Sequence, residues 1–205
     1  MKKTADEFFE ELSHNKEYLR QKRAREKKRR ILEKKMGRDE KPVVKDLCRV
    51  GIHVKSVWDL VNTKAPYPDA LPVLITHLTR DYHPKTLAGI ARALGVPEAI
   101  SDKSIWDTVV ALYIKTQSDE LIELPEMRGL KEGLAVAISN LCTKERLDLV
   151  IDLIKNANHG ESRCLLVHGL RRFKKDSRVK ELLESLRNDP ILGRTANKIS
   201  KANKT

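Results

Sequence analysis

The chain divides into two stretches with different hydrophobic patterns. From Pro42 onwards, short apolar runs with the three- and four-residue spacing of amphipathic helices recur along the chain. This pattern predicts helices at 42–50, 56–63, 70–79, 85–94, 104–115, 128–142, 145–156, 162–173, 178–187 and 190–199. Strands are not expected, because no useful length alternates with period two and no Asn-Gly or Asp-Gly dipeptide occurs.

The stretch before Pro42 is highly charged. The segment KEYLRQKRAREKKRRILEKKM, residues 16–36, is dense in helix formers and predicts a helix that ends at Gly37. Between 16 and 38 it carries 12 Lys/Arg against 3 acids, and its apolar residues are confined to the two ends. Because no apolar stripe runs along it, the middle of this helix should be solvated or bound to something acidic. A capping box at Thr4–Glu7 predicts a short helix further upstream.

Capping motifs mark several predicted helix starts. Ser56-Val-Trp-Asp59 and Ser104-Ile-Trp-Asp107 have the form of capping boxes, in which a hydroxyl and a carboxylate each bond an orphan amide. Thr143 precedes the apolar run of the helix at 145–156. Asp189-Pro190 combines an N-cap with proline at the first helical position.

The helix pair at 71–94 is too small to bury its own apolar stripe, so it must pack on neighbouring pairs. The motif carried by Leu71-Pro72, Leu74, Leu78, Asp81, Pro84 and Ala91-x-Ala93-Leu94-Gly95 resembles a HEAT repeat, including the bacterial lyase-type units. Residues 149–173 and 179–199 resemble the same pattern, although Thr86-Leu87 departs from it. The resemblance implies an all-α fold: an α-solenoid of about five antiparallel helix pairs that binds other macromolecules.

Charge and composition suggest how the chain is organised. The net charge of +12 is concentrated at the two ends, since residues 42–170 hold 15 Lys/Arg against 16 Asp/Glu. The expected domains are a basic N-terminal helical arm (1–41), a HEAT-like helical repeat domain (42–200) and a disordered tail (201–205). The predicted loop between the helices at 104–115 and 128–142 is acidic, with Asp119, Glu120, Glu123 and Glu126. This pattern predicts a solvated insertion, or a segment that docks onto the basic arm.

Several classes of site are not expected. Cys48, Cys142 and Cys164 are dispersed and odd in number, which predicts reduced, mostly buried thiols in a cytoplasmic protein rather than a disulfide framework. No secretory or transmembrane segment is expected from this sequence. Hydrolase, nucleotide and zinc-protease motifs do not occur, so no cofactor or metal is expected.

Two groups of cations are candidate binding residues. The first lies in the basic arm: Lys22, Arg23, Arg25, Lys27, Lys28, Arg29 and Arg30. These residues predict salt-sensitive contact with phosphates or with an acidic protein, and the alternative is a solvated helix whose charge serves solubility. The second group forms a strip near the end of a predicted helix: Arg163, His168, Arg171, Arg172, Lys174 and Lys175. Cations there also complement the negative end of the helix dipole.

The expected function is therefore non-catalytic: a scaffold that engages a protein or acidic partner, with the basic arm adding electrostatic affinity. The alternative is sequence-independent nucleic-acid binding by the arm and the strip, and no membrane partner is expected because the arm has no large apolar face. An enzymatic alternative comes from the resemblance, since some HEAT-like proteins are alkylpurine DNA glycosylases that use Trp, Asp and Arg. Trp58-Asp59 and Trp106-Asp107 have those residue types, but capping boxes already account for both aspartates.

Overall fold

A computed structural model describes residues 15–201 of the chain, and within this range the protein is all-α, with no strand. The helices, numbered here in chain order, are α1 Lys16–Asp39, α2 Lys41–Arg49, α3 Val57–Asn62, α4 Leu71–Leu78, α5 Pro84–Leu94, α6 Lys103–Lys115, α7 Leu130–Leu141, α8 Leu147–Lys155, α9 Arg163–Gly169, α10 Ser177–Ser185 and α11 Gly193–Lys201. The predicted all-α class is confirmed for these residues. The predicted upstream helix, which begins at the Thr4–Glu7 capping box, lies outside them, as do residues 202–205 of the predicted tail. Lys201, the first residue of that tail, is instead the last residue of α11.

The chain separates into two compact units, with the boundary between Asp39 and Glu40. In the first unit, α1 continues through Gly37 to Asp39, so the prediction that Gly37 ends the helix is wrong. Glycine stops a helix most effectively when it adopts the left-handed conformation. In the described range only Gly51, Gly129 and Gly160 have positive φ, and Gly37 keeps the helical backbone.

Between residues 40 and 201 the second unit contains ten α-helices, α2 to α11, at the ten positions that the hydrophobic pattern predicts. Alternate helices pack in a series: α3 contacts α5, α5 contacts α7, α7 contacts α9 and α9 contacts α11. Each of α5, α7, α9 and α11 also packs on the helix that precedes it in the chain. A single cluster of buried apolar side chains extends through the unit from Val43 to Ile199.

Of the two predicted capping boxes, one forms in the structure and the other does not. The capping box at Ser56 is confirmed, because its Oγ accepts from Trp58 N while Asp59 accepts from Ser56 N. The box predicted at Ser104 is wrong. Asp102 is the N-cap of α6, and its Oδ1 accepts from the backbone N of Ser104 and Ile105 at 2.8 and 3.2 Å. Aspartate caps as well as serine does, and Asp102 comes first along the chain.

The acidic loop between α6 and α7 is hydrogen-bonded to the rest of its unit rather than freely solvated. The Oγ of Ser118 donates to the carbonyl of Asn158 at 2.8 Å. Glu120 Oε1 accepts from the backbone N of Glu161 at 2.6 Å, and Asp119 Oδ1 accepts from Gly129 N at 3.0 Å. Two of the four acids therefore have structural roles inside the unit.

Glycines set the closest approaches between the alternate helices. A Cβ added to Gly133 on α7 would lie 2.8 Å from the Cα of Ala88 on α5. Gly169 on α9 would meet Ser139 Cβ on α7 at 2.6 Å, and Gly89 on α5 would meet Val57 Cγ2 on α3 at 2.8 Å. Three successive helix contacts thus depend on the absence of a side chain, because the dense interior leaves no space for another carbon.

Replacing Gly133 by alanine is expected to lower the free energy of unfolding by about 1–2 kcal/mol. Overpacking a dense contact costs about 1–3 kcal/mol, and alanine recovers at most about 1 kcal/mol of helix propensity. Urea unfolding followed by tryptophan fluorescence measures the difference. The control is Glu132→Ala on the exposed face of α7, which should stay within about 0.5 kcal/mol of the native chain. A Gly133→Ala protein as stable as the native one would contradict the close contact.

Candidate functional site

Seven cations lie along one face of α1. Their spacing of three and four residues places them in a single row on a helix of 3.6 residues per turn. This basic stripe consists of Lys16, Arg20, Arg23, Lys27, Arg30, Lys34 and Arg38, all exposed. It extends over about 33 Å, from the rise of about 1.5 Å per residue. None of the acids of α1 lies in the row.

The remaining predicted cations of α1 lie off the stripe. Lys22, Arg25 and Arg29 are exposed on the other side of the helix, and the side chain of Lys28 is outside the described set. Arg29 pairs with Glu33, with 3.4 Å between Nε and Oε1. The structure therefore divides the predicted arm residues between the stripe, which contains Arg23, Lys27 and Arg30, and the opposite side.

The apolar side chains of α1 form no continuous face. Tyr18 and Ile31 are exposed, and Leu19, Leu32 and Met36 are half-buried at scattered positions around the helix. Along the described chain, 15–201, no helix is long and apolar enough to cross a membrane. The chemistry of α1 is therefore dominated by its cations.

In the predicted C-terminal strip, Arg163 has an internal structural role. Its side chain is buried, with Nε donating to the carbonyl of Gly160 at 2.9 Å and Nη1 to that of Ile154 at 3.1 Å. The Ile154 carbonyl lies near the C-terminus of α8, where no helical partner is left for it. Arg163 stabilises the α8–α9 connection and is not part of the exposed charge.

Arg172 also contacts its own unit. Its Nη2 donates to the carbonyls of Ser139 at 2.7 Å and Asn140 at 3.0 Å, and to that of Cys142. These carbonyls lie in the last turn of α7, which carries the partial negative charge of the helix dipole. The guanidinium therefore acts as a C-terminal cap of α7.

The remaining cations of the strip meet at one place. His168 and Arg171 are exposed and Lys174 is half-buried, and together with Arg172 they line a shallow depression of about 400 Å3 beside Asn140. Lys175 is exposed but does not line this depression. Four of the six predicted residues are thus brought together, while Arg163 and Lys175 lie apart from them.

A buried charge that the sequence analysis missed lies at the centre of the second unit. The side chain of Lys131 on α7 is 1% exposed. Its Nζ donates to the carbonyls of Tyr113 and Thr116, the latter at 2.8 Å, and to His159 Nδ1 at 3.0 Å. Lys131 lies on the same helical face as the buried residues Leu134, Ala135 and Ile138. A lysine at a core position of the helical pattern is therefore the sequence feature that could have indicated this buried charge.

Burial controls the ionisation of this cluster. It lowers the pKa of Lys131 to about 8, against the opposing effect of the charges on Asp119 and Glu120. It lowers the pKa of His159 to about 4, and the positive charges of Lys131 and Arg163 act in the same direction. A neutral imidazole is the form that accepts a hydrogen bond at Nδ1. The cluster is sealed from solvent and caps the C-terminus of α6, so its role is structural.

Asp59 and Trp106 belong to the helix framework, whereas Asp107 is exposed and has no capping role, because Asp102 caps α6. Asp59 accepts from the backbone N of Lys55 and Ser56 at 2.9 and 3.1 Å. Trp106 is buried, with the Arg146 guanidinium 4.5 Å from its ring centroid. Trp58 lies on α3 and Trp106 on α6. The main helix contacts described above do not join these two helices.

Cysteines and histidines form no metal centre within residues 15–201, where no group of three or more His, Cys, Asp or Glu side chains could hold an ion. All three cysteines are free thiols. Cys142 is buried and Cys164 half-buried as predicted, whereas Cys48 is exposed with its Sγ 3.4 Å from His53 Nδ1.

The adjacent arginines of the strip provide a direct test of these roles. Arg172→Gln should lower the free energy of unfolding by about 1–3 kcal/mol, because it leaves carbonyls at the end of α7 without their donor. Arg171→Gln removes the same charge from an exposed position and should change it by less than about 0.5 kcal/mol. Urea unfolding of both variants measures the difference. Equal losses would show that charge, rather than capping, is responsible.

His159 should make stability depend on pH. Unfolded histidine takes up its proton near pH 6.5, whereas folded His159 does so only near 4. Between these values the unfolded state binds more protons, so the free energy of unfolding falls as the pH falls. His159→Gln, which keeps an acceptor for Lys131, should reduce this dependence by about 1–2 kcal/mol over the window. A His159→Gln protein that keeps the full pH dependence of the native chain would contradict the assignment.

Comparison with known proteins adds no assignment. No family model matches the chain, and neither a curated protein nor a solved structure matches it.

Proposed function

We propose that the protein is a non-catalytic binding protein, in which a HEAT-like α-solenoid is joined to a basic helix that binds an acidic partner. The solenoid proposal rests on the sequence resemblance and on the series of alternate helices from α3 to α11, each packed on the next. Repeat architectures bury their apolar faces in this way, by stacking each helix pair on its neighbours. Such repeats commonly present an extended binding surface.

The basic stripe of α1 carries the proposal about the partner. Seven exposed cations in one row, with Glu26 and Glu33 beside the row rather than in it, give a linear surface of net positive charge. A long row of this kind matches a partner that is itself extended and anionic. The depression lined by His168, Arg171, Arg172 and Lys174 is a second, smaller cationic surface.

Nucleic acid is the second candidate partner, and the length of the stripe favours it. Duplex DNA carries about one negative charge per 1.7 Å of its axis, so a row of about 33 Å runs beside about 20 phosphate charges. Between Lys16 and Asp39, Tyr18 is the one aromatic residue, so base stacking contributes little. Binding through phosphates alone would be independent of sequence and steeply dependent on salt.

Two variants with matched loss of charge test whether the stripe is the binding surface. Arg23→Gln, Lys27→Gln and Arg30→Gln together remove three cations from the stripe. Lys22→Gln, Arg25→Gln and Arg29→Gln together remove two arginines and one lysine from the other side of the same helix. Fluorescence anisotropy of a labelled DNA duplex, a structured RNA and polyglutamate is measured for the full chain at several salt concentrations.

The stripe variant should weaken binding at least about tenfold more than its matched control. For nucleic acid it should also reduce the slope of log affinity against log salt by about 2–3, since each neutralised phosphate contributes about 0.9. Equal effects of the two variants would show that net charge acts without a defined face. Binding of polyglutamate alone would exclude the nucleic-acid candidate, and failure to bind any of the three polyanions would overturn the proposal.

A further inference from the structure

The acidic loop between α6 and α7 exposes three large apolar side chains. Leu121, Leu124 and Met127 are 66%, 58% and 38% exposed, and they recur at intervals of three residues. This loop is defined here as residues 118–127, with the sequence SDELIELPEM. Single exposed apolar residues are ordinary, whereas a group of them on one short segment is typical of an interaction surface.

The loop is fixed rather than free to fold its apolar groups inwards. Besides the bonds of Ser118, Asp119 and Glu120 to neighbouring backbone, the Nε and Nη2 of Arg128 donate to the carbonyl of Ile122 at 2.9 and 2.6 Å. The backbone of residues 160 and 161 lies directly against Glu120, since a Cβ added to Gly160 would overlap Glu120 Oε2. A loop held at both ends presents its apolar side chains in one arrangement, which lowers the entropy cost of binding.

The charges beside these side chains indicate the chemistry of the partner. Glu123 and Glu126 are exposed and alternate with Leu124 and Met127. Asp119 and Glu120 already serve the loop's own hydrogen bonds, but Glu123 and Glu126 make no ion pair with any described part of the chain. A partner that covers this surface must supply cations beside apolar groups, because burying the two carboxylates unpaired would be costly.

We propose that loop 118–127 is a docking site for a short segment of a partner protein in which Lys or Arg alternates with apolar side chains. The apolar groups of that segment cover Leu121, Leu124 and Met127, and its cations pair with Glu123 and Glu126. The loop is small and carries only these few anchors, so it fits a peptide segment better than a broad protein surface. The inference does not rest on binding of an acidic partner by α1, and different variants test the two.

The experiment selects binders from a random peptide library displayed on phage, with the immobilised full-length protein as the target. Enriched peptides are synthesised, and their affinities are measured by fluorescence anisotropy for the native chain and two loop variants. One variant combines Leu121→Ser, Leu124→Ser and Met127→Ser; the other combines Glu123→Lys and Glu126→Lys. The matched controls replace three exposed apolar residues outside the loop (Val50→Ser, Ile114→Ser and Leu149→Ser) and two exposed acids (Glu181→Lys on α10 and Asp152→Lys on α8).

Enriched peptides should combine Lys or Arg with Leu, Ile or Phe, and both loop variants should weaken them about tenfold or more. The controls should stay within about twofold of the native chain. Peptides without cations, binding unaffected by the loop variants, or a selection that enriches nothing would overturn the proposal. Sedimentation velocity adds a further outcome: self-association of the native chain that the triple serine variant abolishes would assign the loop to a contact between copies instead. Circular dichroism of each variant verifies that the helices are retained.

Discussion

The second unit depends on close contacts between alternate helices. At Gly133 the backbone of α7 approaches Ala88 of α5 so closely that no Cβ fits, and Gly169 and Gly89 repeat this relation at the contacts on either side. With side chains absent at these points, the flanking leucines and isoleucines of the helices interdigitate into one continuous core. The arrangement is sensitive to volume, most of all at Gly133, where a single added carbon must displace the backbone of Ala88 rather than a mobile side-chain end.

Lys131 imposes the second constraint, which is electrostatic. Its ammonium group connects three parts of the unit: the C-terminus of α6 through the carbonyls of Tyr113 and Thr116, α7 itself, and the 157–162 segment through His159. The Tyr113 ring adds a cation–π contact at 4.1 Å. A buried ammonium is tolerated because its hydrogen bonds are satisfied and Asp119 and Glu120 lie close enough to act on its charge. The first residues of the acidic loop, Asp119 and Glu120, therefore have a structural function, whereas its later residues expose apolar groups.

Much of the fold could be predicted from the sequence, and little of the candidate sites. Amphipathic spacing predicts each helix to within a few residues, because burial of an apolar stripe is the dominant local requirement. The role of an individual charged residue depends on what lies across the fold from it. Arg171 and Arg172 are equivalent in the sequence, yet only Arg172 reaches the carbonyls at the end of α7. The conformation of loop 118–127, which leaves its leucines exposed, likewise depends on hydrogen bonds to residues about 40 positions further along the chain.

The cations of α1 differ from those of the second unit because they outnumber the acids of their own helix, by 12 to 4. Residues three or four apart on a helix lie about 5–6 Å apart, so each stripe cation repels the next one along the row. This distance is shorter than the screening length of about 8 Å at physiological salt, so bulk ions reduce the repulsion only in part. The Arg29–Glu33 ion pair lies off the stripe and does not relieve this repulsion. A bound polyanion would remove the repulsion along the whole row, so binding of an acidic partner and stability of α1 are thermodynamically linked.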